Sequence, residues 1–185
     1  MAMTRDQAWE LLNEYTKNPS LVKHMLSVEA AMRAYAVKFG EDADTWATIG
    51  LLHDFDYERW PSAQDHPYRG AEILRARNVP EDWITTIMSH ADYTGVPRTT
   101  LRDKTLYAVD ELCGFLTACA YVRPDRKIAT VEVSSVKKKF KQKSFAAQVS
   151  REEIAKGAEN LGVDIDEHIA FVRDAMATIA DQLGL

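Results

Sequence analysis

Apolar residues recur at helical spacing almost from end to end of the chain, and helix caps and breakers punctuate the runs. Ala8, Leu11, Leu12 and Tyr15 fall on one face at the i, i+3, i+4, i+7 spacing of an amphipathic helix. Asn18-Pro19-Ser20 breaks that helix, and Leu21 to Phe39 forms a second, closed by Gly40. Asp44 or Thr45 starts a third, which runs through Ile49, Leu51 and Leu52 into His53-Asp54. Phe55 to Asp65 is irregular. His66-Pro67 opens a helix through Leu74, since proline suits the first helical position. Pro80 or Glu81 opens the next, with His90 near its end, and Tyr93 to Thr100 is a loop. Leu101 to Ala120 is a long apolar helix ended by Arg123-Pro124. Ile128 to Val136 is rich enough in β-branched residues for a strand, but no second strand is evident to pair with it, so it reads as a loop plus a short helix. Ser150 with Glu153 is a capping-box pattern opening a helix to Asn160, and Asp164 caps a last helix to about Leu183. With no repeat or linker, the reading is one all-α domain over residues 1–185.

A chain of 185 residues is long enough to bury a core without disulfides. No apolar run approaches the roughly 20 residues needed to cross a bilayer. The first residues lack the apolar core of an export signal, so the expected compartment is the cytoplasm. Cys113 and Cys119 lie in an apolar stretch without a CxxC spacing and read as buried small hydrophobes. The net charge of −5 hides an asymmetry. Residues 121–145 carry about +6, including Lys137, Lys138 and Lys139, against about −11 for the rest. A basic patch on an acidic chain points to a small anionic ligand, with nucleic acid disfavoured.

Four of the five histidines fall between His24 and His90. His53-Asp54 ends an apolar helix, where side chains can converge on a cleft, and imidazole and carboxylate both suit divalent Zn, Fe, Mn, Co or Ni. Asp110 sits within Leu106-Tyr107-Ala108-Val109-Asp110-Glu111-Leu112, and a carboxylate placed among apolar neighbours calls for a cation or metal partner. Gly114, one turn on, leaves room for something to approach. His168, on the last amphipathic helix, reads as a surface residue, and Trp46, Trp60 and Trp83 as packing.

The order His24, then Leu51-Leu52-His53-Asp54, then Ala108-Val109-Asp110-Glu111-Leu112 resembles the H…HD…D signature of the HD-domain superfamily. The resemblance covers about residues 20–120, with 121–185 as a helical extension. It implies an HD-type helical bundle and a metal-dependent phosphohydrolase. His66-Pro67-Tyr68-Arg69-Gly70-Ala71-Glu72-Ile73-Leu74 and Ile87-Met88-Ser89-His90 resemble segments of the two-metal members. By that likeness His24, His53, Asp54 and Asp110 bind one ion, His66 and His90 a second, and Asp54 bridges the two. Where many such members have H-D-I-G-K, this chain has His53-Asp54-Phe55-Asp56-Tyr57, so the phosphate-contacting lysine is replaced by Tyr57. The GYP segment of the cyclic-dinucleotide enzymes is absent.

The expected activity is therefore hydrolysis of a phosphate ester or anhydride in a small anionic metabolite, a nucleotide included, using one or two divalent ions. Asp54 is expected at the centre of catalysis, with Asp103 or Glu111 as proton acceptor. Arg59, Arg69, Arg98, Lys104, Tyr107 or the basic stretch would supply the substrate contact that Tyr57 cannot. Two alternatives belong to other classes: a di-iron oxygenase of the same superfamily, and a ligand-sensing domain without catalysis. The sequence leaves a homo-oligomer open.

Overall fold

The computed structural model describes residues 3–185. Its helices are α1 (Arg5–Tyr15), α2 (Pro19–Phe39), α3 (Ala43–Leu52), α4 (Tyr68–Ala76), α5 (Glu81–Ser89), α6 (Leu101–Tyr121), α7 (Val133–Phe140), α8 (Arg151–Leu161), α9 (Ile165–Ala177) and α10 (Ala180–Leu183). Single 3-10 turns occupy Asp92–Thr94 and Ile128–Thr130, and no strand occurs among the described residues. The all-α bundle expected from the apolar spacing is what forms. The β-branched stretch becomes a 3-10 turn followed by α7.

Local capping chemistry sets most boundaries. Asn18 and Asp42 accept backbone N–H groups at the starts of α2 and α3. Thr4 with Gln7, and Thr100 with Asp103, form reciprocal capping boxes at α1 and α6. The expected last helix is interrupted. The Thr178 hydroxyl donates to the Ala175 carbonyl, competing with the backbone ladder, and Ile179 leaves helical geometry before α10 begins.

The two long helices, α2 and α6, organise the core, with α3 packed on α2 and α8 packed on α6. The α6–α8 approach depends on Gly157: a Cβ built there would lie 2.7 Å from the Ala108 Cα, so only glycine lets the two backbones meet. Cys113 and Cys119 are buried free thiols, as expected.

His168 is not on the surface. It is fully buried, its Nδ1 accepting from the Tyr35 hydroxyl at 2.6 Å and its Nε2–H donating to the Ala108 carbonyl at 2.9 Å. It pins α9 to both long helices. Burial holds its pKa below the usual imidazole value. No helix among the described residues is long and apolar enough to cross a membrane.

Candidate metal centre

Six side chains from five parts of the fold converge. His24 comes from the second turn of α2, His53 and Asp54 from the end of α3, and His66 from just before α4. His90 comes from the end of α5 and Asp110 from the middle of α6. The helix ends explain how two of the histidines are oriented. The last carbonyls of a helix lack partners within it. His53 Nδ1–H donates to the Gly50 carbonyl at 2.8 Å, and His90 Nδ1–H to the Ile87 carbonyl at 2.5 Å. His66 Nδ1–H donates to Asp56 Oδ1 at 2.8 Å. These acceptors hold Nδ1–H on all three rings and turn each Nε2 to the centre, where loss of its proton leaves the lone pair with which imidazole binds a metal.

The free nitrogens face carboxylate oxygens. His66 Nε2 and His90 Nε2 lie 3.3 Å apart, each 3.2 Å from Asp54 Oδ1. His53 Nε2 is 3.6 Å from Asp54 Oδ2 and 3.4 Å from Asp110 Oδ1, and His24 Nε2 is 3.0 Å from the same Asp110 oxygen. Lone pairs and anionic oxygens at these separations repel unless a cation lies among them. Two of these atoms, His53 Nε2 and Asp54 Oδ1, are buried with no hydrogen-bond partner, a costly condition for polar atoms. A metal ion held here would satisfy both. The donors fall into two sets, His24-His53-Asp54 and Asp54-His66-His90, each with its ligand atoms within 4.8 Å of one another. Asp54 belongs to both and turns a different oxygen to each.

The electrostatics favour a cation as well. Burial opposes a charge on His53, but Asp54 and Asp110 outweigh it and push its pKa up to about 9. Burial likewise opposes protonation of His66, yet Asp54 and Asp56 push it up to about 10. Protons and metal ions therefore compete for the same centre. The Asp56 carboxylate is buried and also accepts the Gly70 N–H at 2.8 Å. A Cβ at residue 70 would lie 2.9 Å from that carboxylate, so the glycine in the His66–Leu74 segment exists to let Asp56 reach His66.

The centre opens into a cleft of about 460 Å³. Besides the candidate metal donors, Tyr57, Tyr93, Glu111, Gly114, Gln148 and Glu153 line it. A groove of about 530 Å³ lined by α1, α2 and the C-terminal helices has no comparable donor set, because Arg5 clamps its one buried carboxylate, Glu29. The HD-domain family profile matches residues 21–114. The chain belongs to the HD-domain family. No solved structure matches the chain.

His24, His53, Asp54, His66, His90 and Asp110 all lie inside the matched span, and the structure brings their side chains together. The remaining expected residues divide. Glu111 lines the cleft, where burial and the neighbouring Asp110 push its pKa up to about 7. Asp103, expected as a proton acceptor, is buried with its carboxylate occupied by the Thr86 hydroxyl and the Thr99 and Thr100 N–H groups. It closes the α6 capping box and does not line the cleft.

None of the expected cationic contacts lines the cleft. Arg59 stacks on Tyr15 and donates to the Glu14 carbonyl, and Arg69 pairs with Asp65 and Glu72. Arg98 lies over Tyr107, its guanidinium bound to Asp92 and to the Ser89 carbonyl. The Tyr107 ring is buried and its hydroxyl turns to Asp92. Lys104, half-buried on α6, does not reach the cleft. In the basic stretch Lys137 pairs with Asp166 and Lys139 lies over Phe145. The chain does return to the metal cleft after that stretch, but it brings Gln148, Val149 and Glu153 instead of lysines. The sequence reading missed those three, along with Asp56, Asp92 and Tyr93. Asp56 alone left a signal there, as the acid two places after Asp54.

Proposed function

We propose that this HD domain is a metal-dependent phosphohydrolase with two divalent ions, acting on a small phosphorylated metabolite. The observation that carries the reading is Asp54, whose two oxygens face two separate sets of imidazole donors. Metal-dependent phosphohydrolysis is the common activity of the family, and the donor set fits it. His24, His53, Asp54 and Asp110 would hold one ion, and His66, His90 and Asp54 the other. Nitrogen and oxygen donors of this kind suit Fe, Mn, Zn, Co or Ni. When bound, such ions supply Lewis acidity and a nucleophilic water at neutral pH.

The chain's own groups do the rest. The backbone carbonyls of Gly50 and Ile87 and the Asp56 carboxylate hold three imidazoles in the metal-binding tautomer. Glu111, its pKa pushed up to about 7 by burial and Asp110 and one oxygen anchored on the Ser150 N–H, would take up a proton at the cleft.

Metal analysis of protein purified without chelator, together with phosphate release from a panel of sugar phosphates and nucleotides, tests the proposal. Two equivalents of metal and O₂-independent phosphate release are expected. Asp54→Ala removes the ligand common to both sets and should lose metal and turnover together, and full metal occupancy in that variant would sink the assignment. The oxygenase reading is kept for one reason: Tyr57, not a lysine, sits against His66, with ring centroids 5.2 Å apart. Iron content with O₂-dependent turnover and no phosphate release would establish it instead. Full metal loading with no turnover of any kind would favour the ligand-sensing reading.

A further inference from the structure

One wall of the metal cleft is built by chain that lies beyond the family-matched residues, and it is built rigidly. The Arg151 guanidinium donates to the carbonyls of Ala146 at 2.7 Å, Val149 at 2.8 Å and Gln142 at 3.3 Å, and also to that of Phe145. The same guanidinium lies over the Phe115 ring, 4.8 Å from its centroid. One side chain thus gathers residues 142–149 onto α6 and carries Gln148 and Val149 into the cleft. The Ser150 N–H then donates to Glu111 Oε2 at 2.8 Å, tying the wall to the residue beside Asp110.

That bond displaces another. The Ser150 hydroxyl accepts the Glu153 N–H at 3.2 Å, which is half of a capping box. In the other half Glu153 would accept the Ser150 N–H, but Glu111 has taken it. The Glu153 side chain lines the cleft, where its polar neighbour is the Ser150 hydroxyl, and no lysine or arginine among the described residues forms an ion pair with it. No lysine or arginine lines the cleft. Arg98 and Lys156, the cations nearby, both bind Asp92, at 2.5 Å and 3.2 Å.

This charge arrangement restricts the ligand. Under the proposed function, on which this inference rests, two divalent ions set against Asp54, Asp56 and Asp110 leave a single net positive charge. One phosphate group more than cancels it. No cation remains for a second anionic group, and Glu111 and Glu153 stand where the rest of the ligand must lie. We propose that the wall of residues 142–153 selects the substrate: one phosphate group joined to a remainder that is neutral or positively charged, any second anion being repelled by Glu153 and Glu111. The matching class is a simple phosphomonoester, and polyphosphates and carboxylated phosphates are excluded.

Calorimetry on the metal-loaded protein tests this with inorganic phosphate and three phosphonates of similar length. These are butylphosphonate, aminopropylphosphonate and carboxyethylphosphonate, whose carbon–phosphorus bond resists hydrolysis. In the wild type the amine should bind at least as tightly as the butyl compound, and the carboxylate about tenfold more weakly. Glu153→Gln should narrow that gap and Glu153→Lys should reverse it, with metal content unchanged in both. Equal binding of the carboxylate and butyl compounds by the wild type overturns the proposal, and so does a gap untouched by Glu153→Lys. If none of the four probes binds, inorganic phosphate included, the phosphohydrolase reading falls and takes this one with it. If phosphate binds and the three phosphonates do not differ, only the selectivity of the wall is refuted.

Discussion

Asp56→Ala is the sharpest probe of how the metal centre is held. Asp56 belongs to neither donor set itself. Its carboxylate accepts the His66 Nδ1–H and the Gly70 N–H, each at 2.8 Å, in a fully buried setting. Removing it strands two buried donors, at about 1–3 kcal/mol each, so the variant should lose roughly 2–6 kcal/mol of stability unless water enters the gap. The imidazole also loses the partner that sets its tautomer. Loss of such a partner typically weakens metal binding about 10–100-fold, or roughly 1.4–2.7 kcal/mol. That loss should fall on the His66–His90 set alone, because the rings of His24 and His53 do not depend on Asp56. Competition with a graded chelator resolves the two affinities, and the expected result is one tight ion and one loosened ion. Gly70→Ala should give a similar pattern without changing any charge, since the new Cβ would lie 2.9 Å from the carboxylate and push it away from His66. Wild-type affinity for both ions in Asp56→Ala, with an unchanged melting temperature, would refute the reasoning.

Other expectations are as direct. His66→Ala and His90→Ala should each lower the metal content by about one equivalent while the other ion stays bound, and an unaltered stoichiometry would assign these rings to structure. Neutralising Lys137, Lys138 and Lys139 together should leave kcat/KM and its salt dependence unchanged, because none of the three lines the cleft. A marked loss at low salt would restore the basic stretch as a substrate contact. Gly157→Ala forces a Cβ to within 2.7 Å of the Ala108 backbone. Overpacking of about 1–3 kcal/mol should then exceed the gain of about 1 kcal/mol in helix propensity, and a more stable variant in denaturant titration would contradict it. Burial depresses the pKa of His168, so below about pH 6.5 the unfolded chain takes up a proton that the folded chain refuses. Its contribution to stability is therefore lost as the pH falls from about 6.5 towards the folded pKa, and His168→Gln should flatten that part of the profile of melting temperature against pH.

What could be read from the sequence was mostly what local chemistry decides. Helical spacing marked α1, α2 and α6, and Gly40 closes α2 as its position suggested. The six residues proposed as metal donors were legible as a group because their order along the chain carries a resemblance. Helical spacing does put His168 on the face of Val172, Ala175 and Met176, the buried side of α9. What was not legible is how its ring is satisfied, since Tyr35 and Ala108 lie 133 and 60 residues away in the chain. The cationic candidates are occupied elsewhere. Arg59 finds its acceptor on Glu14, 45 residues back, which the chain order does not announce, whereas Arg69 pairs with Asp65 and Glu72 at ordinary i,i+4 and i,i+3 spacings and Arg98 pairs with the nearby Asp92.

The three capping pairs show how far local reading extends. Thr4 with Gln7 and Thr100 with Asp103 both close reciprocal boxes. Ser150 with Glu153 has the same spacing and suitable residues, and it closes only halfway. The difference lies 39 residues back, where Glu111 accepts the Ser150 N–H. Burial and the Asp110 charge make the Glu111 carboxylate poorly stabilised, and a backbone N–H is the one donor that offsets this. At Ser150 the tertiary bond therefore prevails over the local one. Glu153 is released into the cleft as a consequence, so a helix start that looked like plain punctuation becomes part of the surface a substrate meets.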